Sequence, residues 1–210
     1  PDRLVDGYRA FRAGRYRVEH DRYRHLAEAG QKPETLIIAC CDSRAAPELI
    51  FDAPPGELFV VRNVANLVPP YAPDDDYHGT SAALEFAVMG LKVKHVVVMG
   101  HGRCGGIAAA LQENPEPLSP GDFIGKWISL LEKPVAQCLD CGEIEPSERH
   151  RRLERLSVAN SLANLRTFPC IAALEKSGRL KLHGAWFDIA FGELHVLDEA
   201  TGDWAPLSSP

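Results

Sequence analysis

Three short apolar segments, each followed by polar residues, constrain the fold of this chain more than any other feature. They cover Thr35–Cys40, Leu58–Arg62 and His95–Gly100, and the third is rich in valine. Continuous apolar runs of this length are typical of strands buried on both faces. An alanine-rich helical segment, Thr80–Leu91, separates the second run from the third. This alternation predicts an α/β fold with a mainly parallel sheet flanked by helices.

The second half of the sequence predicts further helices and a late pair of strands. Asp122–Glu132 has a helical pattern that Pro134 is expected to end, and Ser147–Phe168 is predicted as a long helix capped by Ser147. Leu180–Ile189 and Leu194–Leu197 have the pattern of a hairpin or an edge of the sheet.

Length and charge restrict the organisation of the chain and its partners. We expect a single domain over residues 1–210, in which residues 1–30 form an N-terminal helical arm, broken near Gly14, that packs on a partner subunit. The net charge of −6 gives no reason to expect binding to nucleic acid or to a membrane. Since neither a signal peptide nor an apolar run of about 20 residues is present, we expect a cytoplasmic protein unless a targeting segment was removed.

The cysteines are not spaced like the disulfide framework of a small secreted domain. They occupy positions 40, 41, 104, 138, 141 and 170. Reduced thiols that bind metal or react are therefore the better expectation. Cys41 and Cys170 are interpreted as small hydrophobic residues. Cys138 and Cys141 are interpreted as ordinary loop cysteines, with a redox pair or a second metal site as the alternatives.

Chemically unusual residues follow two of the predicted strands. Cys40-Cys41-Asp42-Ser43-Arg44 follows the first, and a glycine-rich turn, Gly100–Gly106, follows the third. Ligands of open parallel sheets bind beyond the carboxyl ends of the strands, so neighbouring strands would bring both tails to one crevice. Because extended backbone alternates sides, Cys40, Asp42 and Arg44 would share one side and Cys41 would face the other.

Two thiolates and one imidazole suit zinc, and Cys40, His101 and Cys104 supply that set. Three protein ligands leave the fourth tetrahedral position for water, as in catalytic zinc sites. Asp42 could orient that water, and Arg44 could hold Asp42 ionised through a fork-shaped pair.

Three glycines in the second tail, Gly102, Gly105 and Gly106, would let the backbone pass close to the metal. They would also leave N–H groups at the start of helix 107–111 for an anion such as bicarbonate.

Two other functions fit parts of the pattern. Gly100-x-Gly102-x-x-Gly105 matches a dinucleotide-binding fingerprint, but a Pro-rich stretch follows where a strand ending in an acid is needed. A zinc-stabilised scaffold protein is the non-enzymatic alternative, and it would need a closed metal shell.

The sequence resembles the β-class carbonic anhydrases of the plant-like subgroup. The zinc motifs of that family, Cys-x-Asp-Ser-Arg and His-x-x-Cys, match Cys40–Arg44 and His101–Cys104. The likeness covers roughly residues 30–200. Further similar stretches are Pro55-Gly56-Glu57, Val61–Asn66, Gly79–Ala87 and Asp122-Phe123-Ile124.

The resemblance implies a parallel core of four strands with an additional edge strand, in a homodimer or tetramer. It implies one Zn²⁺ per subunit, held by Cys40, His101 and Cys104, with Asp42 and Arg44 as the catalytic dyad. The implied reaction is reversible hydration of carbon dioxide to bicarbonate and a proton by attack of zinc-bound hydroxide. The same chemistry on COS or CS2 is the alternative.

The resemblance also implies a substrate pocket, formed by Gln31, Phe59, Val64, Phe86 and Gly105. Phe86 falls where plant enzymes carry a tyrosine, so any role of that hydroxyl is lost. The other subgroup has a bicarbonate-inhibition site with a tryptophan three residues before the first ligand. Ile37 stands there, so we expect no such regulation and a zinc open to water rather than capped by Asp42.

Overall fold

The sheet has six strands in the order β2-β1-β3-β4-β5-β6. The computed structural model describes residues 1–140, 142 and 144–207. The strands are β1 Thr35–Cys40, β2 Leu58–Asn63, β3 His95–His101, β4 Lys181–Asp188, β5 Glu193–Leu197 and β6 Trp204–Pro206. The pairs β1–β2, β1–β3 and β3–β4 are parallel, whereas β4–β5 and β5–β6 are antiparallel. The predicted α/β class, with four parallel strands and an added edge strand, is therefore confirmed.

A sixth strand was not predicted from the sequence. Trp204–Pro206 spans three residues and pairs with β5 through Leu197 and Trp204. Its brevity and its proline hide it from a search for alternating runs, because proline lacks the N–H that a central strand needs.

Ten α-helices are present among the described residues, and most lie where the sequence predicted them. They are α1 Asp2–Ala13, α2 Arg15–Val18, α3 His20–Ala29, α4 Pro47–Ile50, α5 Gly79–Glu85, α6 Gly105–Ala110, α7 Phe123–Ile128, α8 Glu132–Leu139, α9 Pro146–Leu165 and α10 Pro169–Lys176. A π-helical segment, Phe86–Leu91, continues α5, and 3-10 turns cover Val64–Asn66 and Ser129–Leu131.

Two predicted helix boundaries were wrong. Pro134 does not end a helix but lies in the first turn of α8, where a missing N–H costs no helical hydrogen bond. Ser147 is not the cap of the long helix, because α9 begins one residue earlier at Pro146 and Glu145 is its N-cap. Proline at the first helical position is favoured by its fixed φ.

The N-terminal arm, α1 to α3, contributes no buried residue to this chain. It breaks at Gly14, as predicted, and again at Glu19. Exposed apolar side chains on it include Leu4, Tyr8 and Val18. Its packing on a partner subunit stays a prediction.

The largest core cluster lies between the sheet and helix α9. Leu36, Val96 and Val98 of the strands are fully buried with Val158 and Leu162 of α9. This packing brings α9 against β3 and β4, whose carboxyl ends lie beside the candidate site. In the described part of the chain, no helix is long and apolar enough to cross a membrane.

Candidate metal centre

The carboxyl ends of β1 and β3 meet at one edge of the sheet, as predicted. The two strands pair in parallel, with Ala39 opposite Met99. Cys40 ends β1 and His101 ends β3, while Cys104 is the N-cap residue of α6. All three side chains are buried, with exposures of 6%, 1% and 1%. The folded sheet therefore brings together three residues from two separate segments of the sequence.

The three side chains have the spacing and chemistry of a zinc site. The Sγ atoms of Cys40 and Cys104 are 3.9 Å apart, and all three ligand atoms lie within 4.8 Å of one another. Two thiolates about 2.3 Å from one tetrahedral zinc would be about 3.8 Å apart. Among the residues that the structure describes, this is the one group of three such side chains placed to share an ion.

His101 presents one ring nitrogen to this group and uses the other for orientation. Nδ1 lies 3.0 Å from the Gly102 carbonyl oxygen, to which it donates as the N–H tautomer. Nε2 is buried without a hydrogen-bond partner in the described part of the chain. A buried nitrogen whose lone pair has no partner costs free energy. A metal ion would use that lone pair, so His101 is suited to be a metal ligand.

Main-chain N–H groups surround both thiols. The Ala65 N–H donates to Cys40 Sγ at 3.4 Å. The hydrogen bond from the Cys104 thiol, acting against burial, lowers the pKa of Cys40 to about 4. Donation to Cys40 and burial raise the pKa of Cys104, against the N–H groups of Ile107 and Gly106. One thiolate is thus already favoured, as a metal ligand requires.

Asp42 and Arg44 form the predicted fork-shaped pair. Arg44 donates from Nε to Oδ1 at 3.0 Å and from Nη2 to Oδ2 at 2.7 Å. These hydrogen bonds hold the pKa of Asp42 well below its ordinary value. Asp42 Oδ2 lies 3.9 Å from His101 Nε2, beside the ligand group. Cys41 is exposed and is not part of the group.

The predicted pocket residues are divided between the two ends of the sheet. Val64 directly follows β2 near Cys40, and Gly105 opens α6 directly after Cys104. Phe59 stacks on the half-exposed ring of Phe86, with centroids 5.8 Å apart, and pairs with the second residue of β1. Within one chain, the structure does not bring Phe59 and Phe86 to the group of Cys40, His101 and Cys104, which we call the ligand group.

Gln31 is also remote from the ligand group in its own chain. It is exposed in the loop that leads into β1, at the end opposite Cys40. Thr35 and Cys40 are the two ends of that strand, and five steps of about 3.3 Å separate them by about 17 Å.

The glycines of the turn differ in the space that surrounds them. A Cβ on Gly106 would lie 2.8 Å from Val64 and 2.9 Å from Ala65, and one on Gly102 would lie 3.3 Å from Trp186. A Cβ on Gly105 would meet nothing within 4 Å. Close packing therefore leaves no room for a Cβ at Gly106 and makes one at Gly102 tight, while Gly105 is spatially unconstrained.

Sequence reasoning missed three residues that surround the site. Glu154 of α9 is 2% exposed, and it accepts the Cys104 N–H and the Trp186 indole N–H, both at 3.0 Å. His150 lies 3.0 Å from the Cys104 carbonyl oxygen. Burial raises the pKa of Glu154. The only sequence signal for His150 and Glu154 is their i, i+4 spacing within an arginine-rich helix, where charged residues usually face solvent.

Arg62 is a further residue that the sequence analysis missed, and it binds the main chain of the Cys40–Arg44 segment. It donates from Nε to the Cys40 carbonyl at 2.9 Å and from Nη2 to the Asp42 carbonyl at 2.7 Å.

Of the Cys138–Cys141 pair, Cys138 is buried and donates to the Arg149 carbonyl at 3.4 Å, while Cys141 lies outside the described residues.

Comparison with known proteins identifies the family. A family model described as carbonic anhydrase matches residues 35–194. A carbonic anhydrase of Pseudomonas aeruginosa is 38% identical over 98% of this chain and 91% of its own length. The chain belongs to the carbonic anhydrase family. Carbonic anhydrases are lyases, so the chain is an enzyme.

Relatives and solved structures place it in the β class. Beta carbonic anhydrase 5, chloroplastic, and beta carbonic anhydrase 6, mitochondrial, of Arabidopsis thaliana are 36% and 33% identical over 89% and 90% of this chain. The chain spans 61% and 64% of their lengths, so it covers less than two thirds of these two plant relatives. The plant matches agree with the plant-like subgroup.

Two solved structures share the fold over almost the whole chain. The β-carbonic anhydrase CcaA superposes with a TM-score of 0.92 at 31% identity, covering 99% of this chain and 92% of CcaA. A tetrameric β-carbonic anhydrase of Sordaria macrospora gives 0.82 at 30% identity, covering 99% and 98%. The dinucleotide-binding and scaffold alternatives are therefore wrong for this carbonic anhydrase.

Proposed function

We propose that this carbonic anhydrase hydrates carbon dioxide to bicarbonate with one Zn²⁺ per subunit, held by Cys40, His101 and Cys104. The single observation that carries the proposal is the buried group of two sulfurs and one unpartnered imidazole nitrogen within 4.8 Å. Bound there, zinc supplies the Lewis acidity that makes water a nucleophile at neutral pH.

Asp42 and Arg44 are proposed as the dyad that acts beside the metal. Arg44 occupies both carboxylate oxygens of Asp42 and keeps the group ionised, so Asp42 serves as an acceptor that orients the attacking water. The pairing with Arg44 also draws the carboxylate toward the guanidinium. This supports the expectation that Asp42 does not occupy a ligand position.

The substrate pocket is proposed to be shared by two subunits. Gln31, Phe59 and Phe86 lie at the opposite end of the strands from Cys40 in their own chain. A two-fold dimer can bring this end of one subunit to the ligand group of its partner, because such an interface is isologous. Val64 and Gly105 would complete the pocket from the same chain as the metal ligands. In this arrangement Gln31 and the Gly105 N–H would bind the product oxygens.

Exposed apolar side chains support assembly into a homodimer or a tetramer. Tyr77, Phe86 and Phe123 are more than half exposed, and no residue of the N-terminal arm is buried within its own chain. Tyr77 and Phe123 line one surface cavity, so this part of the apolar surface is contiguous, and contiguous exposed apolar surface marks an interaction site. A cytoplasmic location stays a prediction, as does the absence of nucleic-acid and membrane partners.

Stopped-flow hydration of carbon dioxide, with metal content determined on the same sample, tests the proposal. We expect one zinc per chain and rapid turnover, and loss of both in Cys40→Ser, His101→Asn and Cys104→Ser. Cys41→Ser is the matched control, and it should keep both. Zinc-free but active protein, or stoichiometric zinc in the three ligand variants, would contradict the proposed metal site.

The choice of substrate needs a separate measurement, because COS and CS2 are linear triatomic molecules like carbon dioxide. Release of hydrogen sulfide from each should be slow compared with carbon dioxide hydration by the same sample. Faster sulfide release would favour the alternative substrates.

A further inference from the structure

Two side chains of helix α9 contact the main-chain groups of Cys104. Glu154 Oε1 accepts the Cys104 N–H at 3.0 Å, and His150 Nε2 lies 3.0 Å from the Cys104 carbonyl oxygen. His150 and Glu154 are one helical turn apart, and His150 Nε2 is also 3.3 Å from Glu154 Oε1. Both polar groups of the Cys104 main chain are thus bound by one helix.

Two hydrogen-bond donors converge on the Glu154 carboxylate. The Cys104 N–H donates to Oε1 and the Trp186 indole N–H donates to Oε2, both at 3.0 Å. A carboxylate has two acceptor oxygens and accepts both. A glutamine has one acceptor oxygen and would aim its NH2 group at one of the donors. The site is therefore specific for a carboxylate, and Trp186 is 2% exposed, so water cannot replace a lost acceptor there.

Two glycines, Gly100 and Gly102, allow α9 and Trp186 to pack closely against the segment that leads to Cys104. A Cβ on Gly100 would lie 2.9 Å from Val158 of α9, and one on Gly102 would lie 3.3 Å from Trp186. The residue before Cys104, Arg103, has a φ of 57° in the left-handed region, which costs free energy for a residue other than glycine. The surroundings must stabilise this conformation, and Glu154 binds the next N–H along the chain.

We propose that Glu154 and His150 are positioning residues that hold Cys104 in the orientation that its Sγ needs as a metal ligand. We call this pair, with Trp186, the Cys104 clamp. Groups that orient ligands from outside the coordination shell commonly change metal affinity 10- to 100-fold when removed. The inference rests on the proposed zinc site and assigns it a support that acts through the main chain rather than through the ligand side chain.

The rate at which zinc leaves the protein tests the clamp. Zinc-loaded enzyme is mixed with a chromophoric chelator in excess, and release is followed by absorbance. We expect Glu154→Gln to release zinc about tenfold faster than wild type. His150→Ala, at a partly exposed position, should release zinc several-fold faster, and it tests the clamp even if the Glu154 variant does not fold. Glu148→Gln, an exposed residue of the same helix paired with Arg151, is the matched control and should match wild type within about twofold.

A compensating substitution separates hydrogen bonding from packing. Trp186→Phe removes the indole donor that the new NH2 group of the Glu154→Gln variant would face. The double variant Glu154→Gln/Trp186→Phe should therefore retain zinc better than Glu154→Gln alone. A role in packing alone predicts the reverse, because the smaller ring adds a cavity. The cobalt-substituted proteins give a second readout, since the thiolate-to-cobalt absorption band should shift in Glu154→Gln and return toward wild type in the double variant.

The outcomes distinguish the clamp from the metal site. If wild type holds stoichiometric zinc, and Glu154→Gln and His150→Ala release it at the wild-type rate with an unchanged cobalt band, the clamp is wrong and the proposed function stands. A double variant that loses zinc faster than Glu154→Gln also overturns the clamp. Wild-type protein that holds no zinc overturns the proposed function and the clamp together.

Discussion

Asp42 is the residue whose role depends most directly on charge. Its carboxylate is bound by Arg44 and lies beside, not within, the group of Cys40, His101 and Cys104. The period of two along an extended tail predicted that Asp42 and Arg44 lie on the same side as Cys40. Glu154 and His150 could not be predicted in this way, because they lie in a helix about fifty residues after Cys104.

The substitution Asp42→Asn tests the dyad. An amide keeps the size of the side chain but replaces one acceptor oxygen with a donor, so zinc should remain stoichiometric while kcat falls about 100-fold or more. Zinc content and stopped-flow carbon dioxide hydration on one sample check this. Asp52→Asn, at an exposed loop position, is the control and should leave kcat unchanged. Full turnover in Asp42→Asn would exclude the dyad role.

At the scale of elements, the site depends on how closely helix α6 approaches the 3-10 turn Val64–Asn66. Gly106 of α6 has no space for a side chain, whereas its neighbour Gly105 does. The glycine pattern was visible in the sequence, but which glycine is sterically required depends on the packing of these two elements.

Gly106→Ala should destabilise the zinc-loaded protein by about 1–3 kcal/mol, as overpacking usually does. The added Cβ would approach Val64 and Ala65 to less than 3 Å, and Ala65 has no flexible side chain that could move away. The free energy of unfolding from urea titration measures the effect. Gly105→Ala is the matched control, expected within about 0.5 kcal/mol of wild type. Equal stability of the two variants would contradict the packing argument.

A pair of histidines links strands β3 and β4 and predicts how stability depends on pH. His183 Nε2 lies 3.1 Å from His95 Nδ1. Burial, with the charges of His95 and Lys181, lowers the pKa of His183. As pH falls below the ordinary histidine value of about 6.5, the unfolded chain therefore binds this proton first, and the folded state loses stability. The contribution is fully present at higher pH.

Urea unfolding of wild type and His183→Gln at pH 7.5 and 5.5 measures this dependence. We expect wild type to lose stability toward pH 5.5 and His183→Gln to lose less, because the group that titrates is gone. His25→Gln, at an exposed position on α3, should behave as wild type does. An identical loss in wild type and His183→Gln would exclude the histidine pair as the cause.

At the scale of the whole molecule, one chain supplies the complete ligand group but only part of the proposed pocket. Gln31, Phe59 and Phe86 lie near the amino ends of the strands, and Cys40, His101 and Cys104 lie near the carboxyl ends. Activity is therefore expected to require at least a dimer, with each site built from two chains.

Complementation between inactive subunits tests this arrangement. Gln31→Ala and Cys40→Ser chains with different affinity tags are co-expressed, and the heterodimer is purified. It should contain one intact site in two and about half the wild-type activity. A heterodimer of Cys40→Ser and Cys104→Ser, which impairs the ligand group in both chains, should stay inactive. A pocket formed within one chain would leave both heterodimers without recovery.

The amino-acid sequence by itself determined the class of fold and the group of Cys40, His101 and Cys104 that is proposed to bind zinc. Buried strands have a local signature, and the side to which Cys40, Asp42 and Arg44 point follows from the geometry of extended backbone. The tertiary structure alone decided that Glu154 reaches Cys104, and that Gln31 and Phe59 lie far from it. Such distances result from side-chain packing between elements remote in the chain, and no local pattern encodes that packing.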